Sequence, residues 1–257
     1  MKFFFVTICV FLFLCSCTSD SDEANEDVTE YRVAYRIPVV VHVVHNGEAV
    51  GIGANISSAQ VQSQMDVLNE DFRKMSGTNG ENDHPDGVDT LIEFFLATVG
   101  PNGDTLEEPG IDRVDGGRSE WPKGILRNPI ETNLKPYTIW NPENYFNIWT
   151  VNLGGFAGRD LLGYAQFPDG SGLPGLNDDN GTDNTDGIVI GYKYFGSSQK
   201  GNFSELIAPY DLGRTATHEV GHWLGLRHIW GDGDCTHDES GRSSTVAQSD
   251  RRATSHR

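Results

Sequence analysis

The sequence predicts an α/β layered domain, and two observations carry that prediction. Short runs rich in β-branched and aromatic residues recur between residues 35 and 196, and helical periodicity appears in two separated places, 57–75 and 211–226. Strands interleaved with two distant helices are the pattern of a twisted mixed sheet with helices layered on it. The 257 residues allow one domain of moderate size once the ends are discounted, and hardly two.

At the N-terminus, Met1-Lys2 gives a short positive start, and "FFFVTICVFLFL" (3–14) is too short an apolar run to span a bilayer. It reads as a targeting segment. "LCSC" (14–17) resembles the lipobox of bacterial lipoproteins, which makes Cys17 the residue that would carry lipid and anchor the chain to a membrane. The acidic "TSDSDE" (18–23) resembles the tether of surface-exported lipoproteins. An ordinary cleaved secretory signal is the alternative, and either way the mature chain leaves the cytoplasm. Residues 1–17 are thus signal and lipobox, and 18–34 a flexible linker. The expected location is the cell surface or beyond it, on a bacterial outer membrane.

"YRIPVVVHVVHNG" (35–47) is a β-branched strand closed by an Asn-Gly turn, with His42 and His45 read as structural. "SSAQVQSQMDVLNEDFRKM" (57–75) is helical, because Val61, Met65, Leu68 and Phe72 share one face; Ser57 with Gln60 forms a candidate capping box. "LIEFFLATV" (91–99), "YFNIWTVNL" (145–153), "LLGYAQFP" (161–168) and "GIVIGYKYFG" (187–196) read as further strands. The stretch from 100 to about 143 reads as irregular. "GLNDDNGTDNTDG" (175–187) is a loop whose oxygens could suit calcium, though its spacing is not that of an EF-hand.

Net charge is −18, from 37 acidic against 19 basic side chains, which argues against nucleic acid as a partner. The chemistry is concentrated in "THEVGHWLGLRH" (217–228). His218 and His222 lie four apart and so stack on one helix face, whereas His228 follows after six. Gly225 sits in that longer gap, where a residue free to take positive φ can end the helix and turn His228 back toward the other two. Three imidazoles on one point make a metal site, and zinc with one open position is the expected ion. Glu219 adjoins the first ligand and projects beside the metal. From there it could take a proton from a zinc-bound water attacking a peptide carbonyl and hand it to the departing amine. A surface helix with incidental histidines does not explain five fixed positions. Trp223 and Leu224 are core residues behind the helix.

HExxHxxGxxH is the metzincin signature. Through "HEVGHWLGLRHIWGDGDC" (218–235) and "IPVVVHVVHNG" (37–47), the chain resembles the pappalysin/ulilysin type of zinc metalloprotease over roughly 35–235. The resemblance implies a metzincin-like upper subdomain: a five-stranded twisted mixed sheet, a backing helix and an active-site helix. It further implies an endopeptidase with His218, His222 and His228 on zinc and Glu219 as general base. An extended protein or peptide substrate would pair with the edge strand "GYAQFP", and calcium would bind near the active site at Asp232 and Asp234.

The chain departs from the family pattern after His228. The family's methionine turn should follow, yet the methionines are Met1, Met65 and Met75. The catalytic domain is therefore expected to span 35–235, with the lower subdomain largely missing and 236–257 an aberrant, disordered tail. Cys235, which in relatives would pair with a later cysteine, has no such partner here. Two functions stay open at this point: a zinc endopeptidase, or a catalytically incomplete surface protein that binds zinc or peptide without turnover.

Overall fold

Eleven residues, five of them valine, make β1 (Tyr35–His45) the spine of the sheet. The computed structural model describes residues 35–122, 128–155, 161–169 and 182–228. β1 is long enough to carry two parallel neighbours end to end along one edge. Residues 35–39 pair with β2 (Ile92–Leu96), and 41–45 with β3 (Ile111–Asp115). Its other edge takes β4 (Phe146–Val151), which is followed by parallel β6 (Ile188–Gly191). Antiparallel β5 (Gly163–Ala165) closes the order β2-β1-β4-β6-β5.

Six strands thus fill five positions across the sheet, in keeping with the expected five-stranded mixed architecture. β3 lies in the stretch read as irregular. Its sequence, IDRVD, carries three charges, and two of them are held by distant partners: Asp112 by His42, and Arg113 by Asn55 and Ile56 as well as the nearer Glu108. No local pattern announces those contacts. Residues 130–138 also escaped the sequence reading. Ile130–Leu134 form a wide helical turn that runs into α2 (Lys135–Thr138).

Alternation along the strands divides the core into two layers. On one side Val39, Val41, Val43, Ile148, Ile188 and Ile190 meet α1 (Ser58–Phe72) and α3 (Arg214–Trp223). On the other, Val44, Trp149, Val151 and Val189 are covered by Ile130, Leu134 and Trp121. His42 faces this second layer, fully buried and stacked on Trp149, its ring nitrogens 2.8 Å from Asp112 Oδ2 and 2.9 Å from Asn147 Oδ1.

The apolar face of α1 lies where periodicity puts it, with Val61, Met65, Leu68 and Phe72 all buried. Each such side chain contributes roughly 1.5–3 kcal/mol relative to exposure. Its N-cap is only half of a capping box. Ser57 Oγ accepts from Gln60 N at 3.2 Å, but the Gln60 side chain turns inward, donating to the carbonyls of Tyr192 and Phe195 at 3.2 and 2.8 Å. Gln64 accepts from Gly196 N and donates to Gly213 O, and Ser63 accepts from Ser197 N. Three buried polar residues of α1 therefore satisfy backbone groups between β6 and α3, where strand pairing is limited to a single bridge between Ser197 and Leu212. That segment delivers α3, and α3 carries His218 and His222.

Candidate metal centre

α3 begins after Gly213, whose φ of 76° sets the entry, and Ala216 and Val220 pack it onto the sheet. One turn in, Thr217 donates to Asp71 of α1 at 2.6 Å and Arg214 pairs with the same carboxylate at 3.1 Å. The helix is therefore locked in rotation immediately before His218. It ends where the glycine predicts: Gly225 has φ 93°, its N–H bonds to His222 O, and Leu226 N–H reaches back to Gly221 O, both at 2.8 Å. This reversal brings His228 round to the helix.

The three Nε2 atoms then converge. His222 Nε2 lies 3.0 Å from that of His218 and 3.1 Å from that of His228, and the remaining pair is 3.2 Å apart. A tetrahedral ion with ~2.0–2.1 Å bonds would hold its nitrogens ~3.3–3.4 Å apart, so the donor set fits zinc. The tautomer fits as well. His222 Nδ1 is 2.7 Å from Leu226 O, a contact that needs an N–H donor, so the neutral ring presents a bare Nε2 to the centre. His222 is only 9% exposed while His218 is open to solvent, leaving the centre accessible from one side. Phe167, just past β5, sets its ring against His222 at 5.3 Å.

Glu219 is 8% exposed and packs between α3 and β5. A Cβ built on Gly163 would lie 3.2 Å from Glu219 Cγ and 2.8 Å from Val189 O. Only a glycine lets the edge strand come this close to the glutamate.

The family model Peptidase_M43, described as pregnancy-associated plasma protein-A, matches residues 131–257. Mature mirolysin of Tannerella forsythia, solved in complex with a cleaved peptide, is 42% identical with a TM-score of 0.60, over 83% of this chain and 70% of that one. The chain belongs to this family of metzincin-type zinc metalloproteases. Extracellular metalloprotease 1 of Coccidioides posadasii is 43% identical over 83% of this chain and 59% of its own length, and an extracellular metalloprotease of Verticillium alfalfae is 40% identical over 84% and 59%. The chain spans about 60% of the length of these curated relatives. For a member of this family, zinc is the implied metal.

Within this pappalysin-type site, Trp223 stacks on Phe146 at 4.0 Å and donates from Nε1 to Asp186 at 3.0 Å, so it joins the core and also anchors the loop before β6. Burial raises the Asp186 carboxyl above its ordinary value, and the indole bond works against that rise. Beside Trp223 and Leu224 opens a recess of 580 Å³ that also includes Glu143, Gln166 and Asp183. Asp232 and Asp234, expected to hold calcium, lie outside the described residues, as do Cys17 and Cys235. Sequence reasoning did not single out Gly163, Phe167 or Asp71. The first two stand in the "GYAQFP" strand assigned to the cleft, but nothing in that segment signals contact with Glu219 or His222.

Proposed function

We propose that the chain is a zinc-dependent endopeptidase that cleaves extended segments of protein substrates. The observation that carries this reading is the convergence of three imidazole Nε2 atoms beside a buried glutamate, at the edge of an open sheet. His218, His222 and His228 are the residues that would hold the ion, with His222 oriented by the carbonyl of Leu226. When bound, zinc supplies a Lewis acid that polarises a carbonyl and acidifies water. Glu219 acts as the general base: its carboxylate takes a proton from the attacking water and delivers it to the amide nitrogen that leaves. Its stem packs against Gly163, and the residue as a whole is buried.

Substrate binds along β5. Gln166 N bonds to Gly187 O and Gly191 N to Leu162 O, so in this antiparallel ladder the backbone groups of Tyr164 face β6, while those of Gly163 and Ala165 face outward. An extended peptide can add there as another strand. We further assign residues 1–17 to a lipoprotein signal, 18–34 to a tether, 35–235 to the catalytic domain and 236–257 to a tail. A lipid on Cys17 would hold the enzyme on the outer membrane. Calcium at Asp232 and Asp234 rests on the family resemblance alone.

The test is metal analysis together with cleavage of a fluorogenic peptide library with and without chelator. Glu219→Ala should retain zinc and lose cleavage by at least ~100-fold, the lower range for removing a positioned base. Equal cleavage by parent and variant would refute the assignment of Glu219.

A further inference from the structure

The layer behind the sheet, away from His218, His222 and His228, contains a buried ammonium. Lys135 of α2 has a side chain only 1% exposed, set 5.1 Å from the Trp149 ring and 5.3 Å from the Tyr164 ring. A charge buried in an apolar layer costs several kcal/mol unless it is paired and hydrogen-bonded. Its Nζ meets Glu131 Oε1 at 2.9 Å and donates to Thr185 O at 3.0 Å. Both partners lead to the same strand. Glu131 Oε1 also accepts from Tyr164 OH at 2.7 Å, and Thr185 Oγ1 donates to Gln166 Oε1 at 2.7 Å. Asn128 completes the arrangement, donating to Tyr164 OH at 3.1 Å while its Oδ1 receives Ile130 N.

We propose that Lys135 and Tyr164 are positioning residues that hold the cleft's edge strand from its far side. β5 has three residues and one paired neighbour among the described strands, which is little to fix its position. Alternation puts Gly163 on the side of Glu219 and Tyr164 on the side of Lys135. One ammonium therefore grips the strand at residue 164 through Glu131 and at residue 166 through Thr185. Burial and the neighbouring Glu131 keep the Tyr164 phenol protonated far above its ordinary range, so it remains a donor at any working pH. The Lys135–Glu131 pair would then act on catalysis only through the position of β5. This rests on the reading of β5 as the strand that pairs with substrate.

The experiment uses the full chain and compares parent, Lys135→Met, Lys135→Arg, Tyr164→Phe and the Lys135→Met/Tyr164→Phe double variant. For an eight-residue fluorogenic peptide, KM should rise about tenfold in Lys135→Met, as expected for loss of one charge-assisted contact, while kcat stays within about twofold. Lys135→Arg should recover part of the loss, and the double variant should be less than additive because both residues act in one network. Hydrogen exchange provides a readout independent of turnover. The Tyr164 and Gln166 amides should exchange about tenfold faster in Lys135→Met and Tyr164→Phe, with the Ile188 and Ile190 amides of β6, which face β4, unchanged. If Lys135→Met fails to fold, Tyr164→Phe, which keeps the ring, carries the same test. A parent without metal-dependent cleavage would overturn the endopeptidase reading, and exchange alone would then decide this one. Unchanged exchange at 164 and 166, equal acceleration across the whole sheet, or additive KM effects would overturn the positioning role.

Discussion

Replacing Gly225 with alanine should weaken the metal centre without touching a ligand. The residue has φ 93°, in the left-handed half of backbone space where a Cβ meets the following carbonyl. That conformation costs a non-glycine residue roughly 1–2 kcal/mol, a factor of about 5–30 in an equilibrium constant. Three contacts depend on it: Gly225 N to His222 O and Leu226 N to Gly221 O, both 2.8 Å, and Leu226 O to His222 Nδ1 at 2.7 Å. If the metal-free loop relaxes, zinc must restore the strained turn and the penalty falls on zinc affinity. If the turn holds, the penalty falls on the stability of the loaded protein. A competition titration against a chromophoric chelator and the Tm of the zinc form together capture both routes. The expected result is zinc binding weakened about 5–30-fold, or a Tm lowered by roughly 2–8 °C. Zinc affinity within twofold of the parent and a Tm within about a degree would refute the claim that this turn places His228.

The neighbouring Gly221→Ala should behave in the opposite way. An added Cβ there meets nothing nearer than Leu226 Cδ1 at 3.7 Å, and the helix gains about 0.8–1 kcal/mol from alanine, so Tm should rise by roughly 2–4 °C. A lower Tm would show that this part of α3 is tighter than its geometry. Asp71, whose carboxyl is raised above 3.8 chiefly by burial, should make stability depend on pH. Between the unfolded and folded values the native state holds the extra proton, so this contribution is complete below about pH 4 and is lost as pH rises through the folded value. Asp71→Asn does not titrate, and its stability relative to the parent, from urea midpoints, should improve as pH climbs from about 4 to 7. A relative stability of Asp71→Asn that falls as pH rises would reverse the sign of the argument.

Much of the site was legible because its logic is local. A four-residue interval on a helix aligns His218 and His222, and a glycine between His222 and His228 permits the turn that brings the third ring back. The apolar face of α1 was legible for the same reason. The Asn46-Gly47 turn after β1, where Gly47 has φ 85°, is another local signal. The extent of β5 was less so, since "LLGYAQFP" supplies only three paired residues, and Phe167 beyond them turns to His222.

By itself, then, the sequence determined the helix, its stop, where most strands lie along the chain and which three histidines come together, because each depends on backbone geometry within a few residues. Only the tertiary structure decided that Gln60, Ser63 and Gln64 would be buried, that the charged segment 111–115 would be a strand, and that Lys135 would sit beneath the cleft's edge. A buried polar or charged group is stable only where its partners stand, and those partners come from 50 to 149 residues away in Lys135–Thr185 and Gln64–Gly213. Local periodicity carries no record of them.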